Sequence, residues 1–301
     1  MTRLLLADVL PLEDPAAYAF LYGMTSSERK RTADSFRFMK DRMLSVGASA
    51  LLDAGLREFG LRERDMTYGR SEHGKPFFVN APDIHFNISH SASKVAVAFS
   101  DREVGCDIEE AFAAGLSAQS VEQEAAAFSS GDVKKAFAAG LSAHSVEQEA
   151  VAFSDREVGC DIEEAFAARL SAQSVEQEAA KCLEMAGRFF SREEYLAVKA
   201  AESPSECIRT FYRCWTLKES YMKATGLGLS LAPDSFSVAA LCTGGSGSLL
   251  RHTGCLDCLS HKVADGFVFY TVDSFEGYEC ALCCRPEACV PEVMLVRLGE
   301  R

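Results

Sequence analysis

No stretch of this 301-residue chain approaches the roughly 18 consecutive apolar residues that a membrane-spanning helix needs. Positive charge is also short, with 31 Lys and Arg against 44 Asp and Glu and a net charge of −13. That balance excludes broad nucleic-acid binding, which calls for a basic surface. It does not exclude a small anionic ligand, because a local cluster suffices, and Arg29, Lys30, Arg31, Arg37, Lys40 and Arg42 supply one. A secretion signal is missing as well. Asp8 interrupts the run Leu4–Ala7 and no small-residue cleavage site follows, so the run is read as a first β-strand of a cytoplasmic protein. Without such a signal, the twelve cysteines are read as reduced thiols and not as a disulfide scaffold.

One cysteine spacing resembles a zinc ribbon: Cys255-x-x-Cys258 followed by Cys280-x-x-Cys283. Against it, residues 277–284 read as a strand, where positions three apart point to opposite faces. Core cysteines are the preferred reading, and a zinc-stabilised interaction domain at 255–284 is a rival.

What is present is a mixture of helical and strand-like segments. Phe36, Met39, Met43, Val46 and Leu51 recur at helical spacing, which predicts helix between Ser26 and Phe59. Segments 77–79, 84–88, 94–99 and 103–108 are short, β-branched or aromatic, and bounded by Gly, Pro and polar pairs, so they are predicted strands. Helical periodicity returns over 190–224. Strands are predicted at 235–240 and 266–272, with Gly244-Gly245-Ser246-Gly247 as a turn.

The middle of the chain is duplicated. Residues 97–126 recur at 151–180, displaced by 54 positions, with Gly115 against Arg169 the one difference. Residues 136–150 repeat 111–125 with Gln119 changed to His144. Near-identity over two kinds of local structure marks a recent duplication or an assembly artefact, and collapsing it would leave about 247 residues. Segment 111–180 is read as a tolerated insertion of helices packed loosely on a domain that does not need them all.

Four stretches carry candidate chemistry. Gly74-Lys75-Pro76 is a turn with a lysine. Phe86-Asn87-Ile88-Ser89-His90-Ser91 places hydroxyls and an imidazole at a strand end, suited to phosphate oxygens. In Val104-Gly105-Cys106-Asp107-Ile108-Glu109, the i, i+2 spacing aims two carboxylates at one point, where Mg²⁺ would relieve their repulsion. In Trp215–Leu229, Glu219 and Lys223 lie four apart on one helical face, and Gly226 and Gly228 end the helix.

Taken together and in this order, with FFSREEY at 189–195 and APDSFSV at 232–238, these motifs resemble the 4′-phosphopantetheinyl transferases, of the long type that activates peptide and polyketide synthases. The resemblance covers nearly the whole chain outside 111–180. It implies an α+β fold of two similar halves, each an antiparallel sheet with a long helix, meeting at a coenzyme A cleft. The halves are expected at 1–101, holding coenzyme A phosphates, and 102–301, holding metal and catalytic residues. It further implies Asp107, Glu109 and Glu219 as Mg²⁺ ligands, Glu219 as the base, and Lys223 as the cation on the pyrophosphate, assisted by Lys218. Lys75, Ser89, His90, Arg29 and Arg42 would hold phosphates.

The implied partners are coenzyme A and an acyl or peptidyl carrier protein, with no nucleic acid or membrane, and the chain is expected to be a monomer. The duplicate strand offers Asp161 and Glu163 as alternative ligands. The first copy is preferred because it follows the 94–99 strand through a short hairpin. The alternative function is an inactive coenzyme A or carrier-protein binding module, disrupted by the duplication.

Overall fold

The computed structural model describes residues 2–112, 159–242, 251–255, 266–273, 275–286 and 290–299. It has four layers: helix, sheet, sheet, helix. Sheet one has the order β10-β1-β5-β4, built from β1 (Arg3–Asp8), β4 (His85–Ser91), β5 (Lys94–Ser100) and β10 (Glu292–Leu295). β5 is antiparallel to β1 and β4, whereas β10 returns from the far end of the chain to lie parallel to β1. Sheet two has the order β6-β9-β8-β7, from β6 (Val104–Glu110), β7 (Arg251–Cys255), β8 (Val268–Thr271) and β9 (Tyr278–Cys284). A separate hairpin joins β2 (Tyr68–Arg70) to β3 (Pro76–Phe78).

Strand alternation explains the layering. In β1, Leu5 and Ala7 face one way, with Val97 and Phe99, into a core against α3 (Met39–Leu56). Leu4 and Leu6 face the other way, with Ala96 and Ala98, and meet Cys106, Ile108 and Leu282 of sheet two. The outer face of sheet two, with Phe269, Ala281 and Cys283, packs on α4 (Gly159–Phe189) and α6 (Pro204–Thr225) through Val175, Phe211, Leu217 and Tyr221.

Local signals set the helix ends. Ser26 caps α2 (Ser27–Ser35) at the amide of Arg29. Ser191 and Glu194 form a capping box on α5 (Arg192–Lys199). α6 begins with Ser203 as cap and Pro204 at its first position, and ends at Gly226, whose φ of 74° suits a residue without a side chain.

Four sequence expectations change here. The helix expected from Ser26 to Phe59 is two helices, α2 and α3. The strand expected at 235–240 is a single turn at Pro233–Ser235 followed by α7 (Ala239–Cys242). Its ladder donor is diverted, because the Val238 amide donates to Glu194 Oε1 at 2.6 Å. The expected reduced thiols include one disulfide, Cys214–Cys242, between α6 and α7.

The fourth concerns the insertion. Its end is not loosely packed: Val175, Ala179, Cys182 and Ala186 form a buried stripe of α4 that continues to Phe190. Residues 113–158 of the duplicated region, and the turn at 244–247, lie outside the described residues. Cys280 and Cys283 face opposite sides of sheet two, as strand alternation requires. Cys258 lies outside the described residues.

Candidate active site

β6 is the edge strand of sheet two and lies beside β4, the edge strand of sheet one. Side chains stitch the two together. Asn87 Oδ1 accepts the Cys106 amide at 2.9 Å, and Ser91 Oγ accepts the Glu110 amide at 3.1 Å. These bonds give an exposed edge the partners that a ladder would otherwise supply. Ser91 was expected to face phosphate oxygens and instead bonds the Glu110 amide, and Asn87 was not singled out from the sequence. The signal was available, because Asn87, Ser89 and Ser91 alternate and so share one polar strand face.

On its other side β6 meets α6 at backbone distance. A β-carbon on Gly105 would fall 2.4 Å from the Ala224 amide nitrogen. With the helix that close, Asp107 and Glu109, on the same face as Gly105, look onto Glu219 and Lys223. Lys223 Nζ donates to Asp107 Oδ1 at 2.6 Å and to Ser89 Oγ at 3.2 Å. Ser89 Oγ donates in turn to Asp107 Oδ1 at 2.7 Å. β4, β6 and α6 thus bring Ser89, Asp107, Glu109, Glu219 and Lys223 together.

The electrostatics follow from that crowding. Burial pushes Asp107 above the usual carboxylate range, against the pull of Lys223. Burial, and then the charge of Asp107, push Glu109 up to about 7, with Glu219 adding to the rise. Glu219 is raised by burial and by Asp107, with Lys223 opposing. Burial disfavours the Lys223 ammonium, but Asp107 more than compensates and holds it above its ordinary value. Asp107 Oδ2 is buried without a hydrogen-bond partner. Among the described residues, no three His, Cys, Asp or Glu side chains stand close enough to form a metal site as they are. Asp107, Glu109 and Glu219 are nevertheless the residues that could hold a divalent, oxygen-loving cation, which would satisfy Oδ2.

The remaining sequence candidates occupy other places. His90 follows Ser89 on β4, and burial together with Lys223 and Arg29 holds its pKa below the ordinary value. Arg29 donates to Ser49 Oγ and the Ser45 carbonyl, both at 3.1 Å. Arg42 donates to the Phe36 carbonyl at 2.8 Å, on the α2–α3 connection.

Lys218 is not gathered with the carboxylates. It is buried against Glu194, at 2.8 Å, and donates to the carbonyls of Pro233 and Phe236. Lys75 Nζ donates to the carbonyls of Val104 and Ala224. Of the second copy, Gly159–Glu163 belongs to α4, and the side chains of Asp161 and Glu163 lie outside the described residues. Glu279, opposite Glu109 in the sheet, is neutralised by Arg213 at 3.2 Å.

The 4′-phosphopantetheinyl transferase superfamily model matches residues 157–283. That match takes in the second copy of the acidic motif, 158–163, which lies 54 residues nearer to Glu219, and leaves the identical first copy, 104–109, outside the matched residues. The chain is 25% identical over 269 residues to a 4′-phosphopantetheinyl transferase of Bacillus subtilis, covering 88% of this chain and 84% of that one. It is 26% identical over 214 residues to the 4′-phosphopantetheinyl transferase Sfp of Bacillus subtilis strain 168, covering 71% of this chain and 65% of Sfp. Similarity extends to the 4′-phosphopantetheinyl transferase gsp of Aneurinibacillus migulanus, 23% identical over 271 residues, 90% of this chain and 80% of that one.

Proposed function

We propose that this chain, which belongs to the 4′-phosphopantetheinyl transferase superfamily, moves the phosphopantetheine arm of coenzyme A onto a serine hydroxyl of an apo acyl or peptidyl carrier protein. The observation that carries this reading is the hydrogen-bonded triangle of Ser89, Asp107 and Lys223 between β4, β6 and α6, with Glu109 and Glu219 near enough to feel the charge of Asp107.

The reaction balances simply. The serine oxygen bonds to the β-phosphorus of the coenzyme A pyrophosphate, the bond from that phosphorus to the bridging oxygen breaks, and adenosine 3′,5′-bisphosphate leaves. Glu219 takes the serine proton, a role suited to a carboxylate whose pKa burial has raised toward neutrality. Lys223 lies against the acidic cluster and would turn its ammonium to the pyrophosphate, where negative charge grows.

Asp107, Glu109 and Glu219 are the residues that would hold Mg²⁺, a reading supported by the orphaned Asp107 Oδ2 and by the charge of Asp107, which raises the pKa of both glutamates beyond what burial does. When bound, Mg²⁺ would neutralise charge on the pyrophosphate. Ser89 and His90 are the phosphate donors on β4, with Arg29 behind them. A division into two halves near Asp101 and a monomeric state complete the proposal.

The test is the intact mass of apo carrier proteins after incubation with this protein, coenzyme A and Mg²⁺, with and without EDTA. A gain of one phosphopantetheine that EDTA abolishes is expected. No gain across several carriers, from folded protein that still binds coenzyme A, would favour an inactive binding module.

A further inference from the structure

Glu63 is a fully buried carboxylate that the transfer chemistry does not use. Three uncharged donors hold it. The Ser26 amide donates to Oε2 at 2.7 Å, and the Ser26 hydroxyl donates to Oε1 at 2.7 Å. The Tyr68 phenol, whose pKa burial and then Glu63 raise, stays protonated and donates to Oε1 at 2.7 Å. A buried anion bonded in this way on both oxygens has one orientation.

These bonds tie Glu63 to a cation. Ser26 is the cap of α2, and its Oγ accepts the amide of Arg29 at 3.2 Å. Tyr68 holds the same carboxylate from β2, and the Glu63 amide donates to Asp53 Oδ1 on α3 at 3.1 Å. Asp53 is itself fixed by Arg62 at 2.8 Å. The start of α2 is thus pinned to α3 and β2 through one side chain. Burial lowers the pKa of the Arg29 guanidinium, and Tyr68 and Glu63 oppose that shift. The bonds of Arg29 to Ser49 and Ser45 use two of its five N–H donors. Its charge is felt at His90, next to Ser89.

We propose that Glu63 is a positioning residue for coenzyme A: it fixes the first turn of α2 and so holds Arg29 in the orientation that a phosphate group of coenzyme A requires. This rests on the reading of Arg29 as a phosphate ligand of the transfer site. A guanidinium held in advance loses less freedom when the phosphate arrives, so the effect falls on affinity. The chemical step is served by other residues, and binding that is equal in ground state and transition state leaves kcat unchanged.

The full-length wild type, Glu63→Gln, Arg29→Met and the double variant are compared by calorimetric affinity for coenzyme A and by steady-state transfer to an apo carrier protein. Glu63→Gln keeps the size of the side chain but turns an amide donor toward Ser26 or Tyr68, so at least one bond is lost. It should raise Kd and KM for coenzyme A by about tenfold, with kcat within about twofold of wild type. In the Arg29→Met background the same substitution should weaken binding by no more than about twofold, because the residue through which it acts is gone. An equal loss with and without Arg29 would overturn the proposal. Unchanged affinity in Glu63→Gln, or a loss confined to kcat, would overturn it as well.

If Glu63→Gln does not fold, Tyr68→Phe, which removes one of the three donors, takes its place in the same cycle. A rise in Kd of about threefold that disappears in the Arg29→Met background is then expected, and a rise that persists there overturns the proposal. A wild type that binds coenzyme A but loads no carrier protein would overturn the proposed function and leave the affinity cycle to decide on Glu63. A wild type that binds no coenzyme A would overturn both.

Discussion

A β-carbon on Gly105 would lie 2.0 Å from the carbonyl oxygen of Ser220. The acidic strand and the helix bearing Glu219 therefore meet backbone to backbone, and this contact sets the geometry of the cluster.

Gly105→Ala should push α6 off β6. Neither neighbour can yield by a rotamer change, because the clash is with main chain. Overpacking of this kind costs about 1–3 kcal/mol, and the cluster should open with it. We expect a lower thermal midpoint and transfer reduced by about tenfold or more. A midpoint and rate equal to wild type would show that the interface is not rigid.

Lys223 and Asp107 form a mostly buried pair, with side chains 27% and 2% exposed. Lys223→Met leaves Asp107 without its counter-ion, a loss that costs about 3 kcal/mol or more for buried pairs. The double variant Lys223→Met/Asp107→Asn should be more stable than Lys223→Met alone. Urea denaturation of the four proteins of this cycle gives the answer, and additive effects would deny the coupling.

Glu109 carries a pH dependence of definite sign. Its pKa is about 7 in the fold, against an ordinary 4.5. Between those values the folded state holds more protons than the unfolded state, so this group lowers stability as pH rises from about 4.5 to 7. In EDTA, wild type should lose more thermal stability between pH 5 and pH 7.5 than Glu109→Gln does. Mg²⁺ should recover part of the loss in wild type. Parallel curves for the two proteins would refute the assignment.

The two copies of the acidic motif are separable by substitution. Asp107→Ala should abolish transfer, whereas Asp161→Ala should leave it intact. Deleting residues 113–166 joins Phe112 to Ala167 and retains both β6 and the core-forming end of α4. Such a protein should keep the fold and activity of the full chain, measured by circular dichroism and by carrier loading. Loss of folding on deletion would show that the insertion is structural.

Much of the fold was readable from local pattern. The strands at 85–91, 94–100 and 104–110 announce themselves by β-branched and aromatic content between turn residues, and α6 by its periodicity and its Gly226 end, whereas its start at Ser203, within the helical stretch expected over 190–224, was not read. The aim of Asp107 and Glu109 to one side followed from the two-residue period of a strand. The misread segment at 235–240 failed for a stated reason, since no pattern within it reveals that Glu194, 44 residues earlier, takes the Val238 amide.

The same limit applies to the cationic side chains. Lys75, Lys218 and Lys223 look alike in a sequence, as flexible amines near acidic motifs. Their roles diverge because packing gives each a different set of oxygens: two carbonyls for Lys75, Glu194 with two carbonyls for Lys218, and Asp107 with Ser89 for Lys223.

The duplicated peptide draws the line most sharply. Gly-Cys-Asp-Ile-Glu is strand at 105–109 and helix at 159–163. By itself the sequence determined that two carboxylates two residues apart exist in each copy, and that a Glu and a Lys four apart follow downstream. Only the tertiary structure decided which copy becomes a strand. Local propensity in so short a peptide is weak, and the pairing edge of β9 and the backbone contact with α6 can be occupied once.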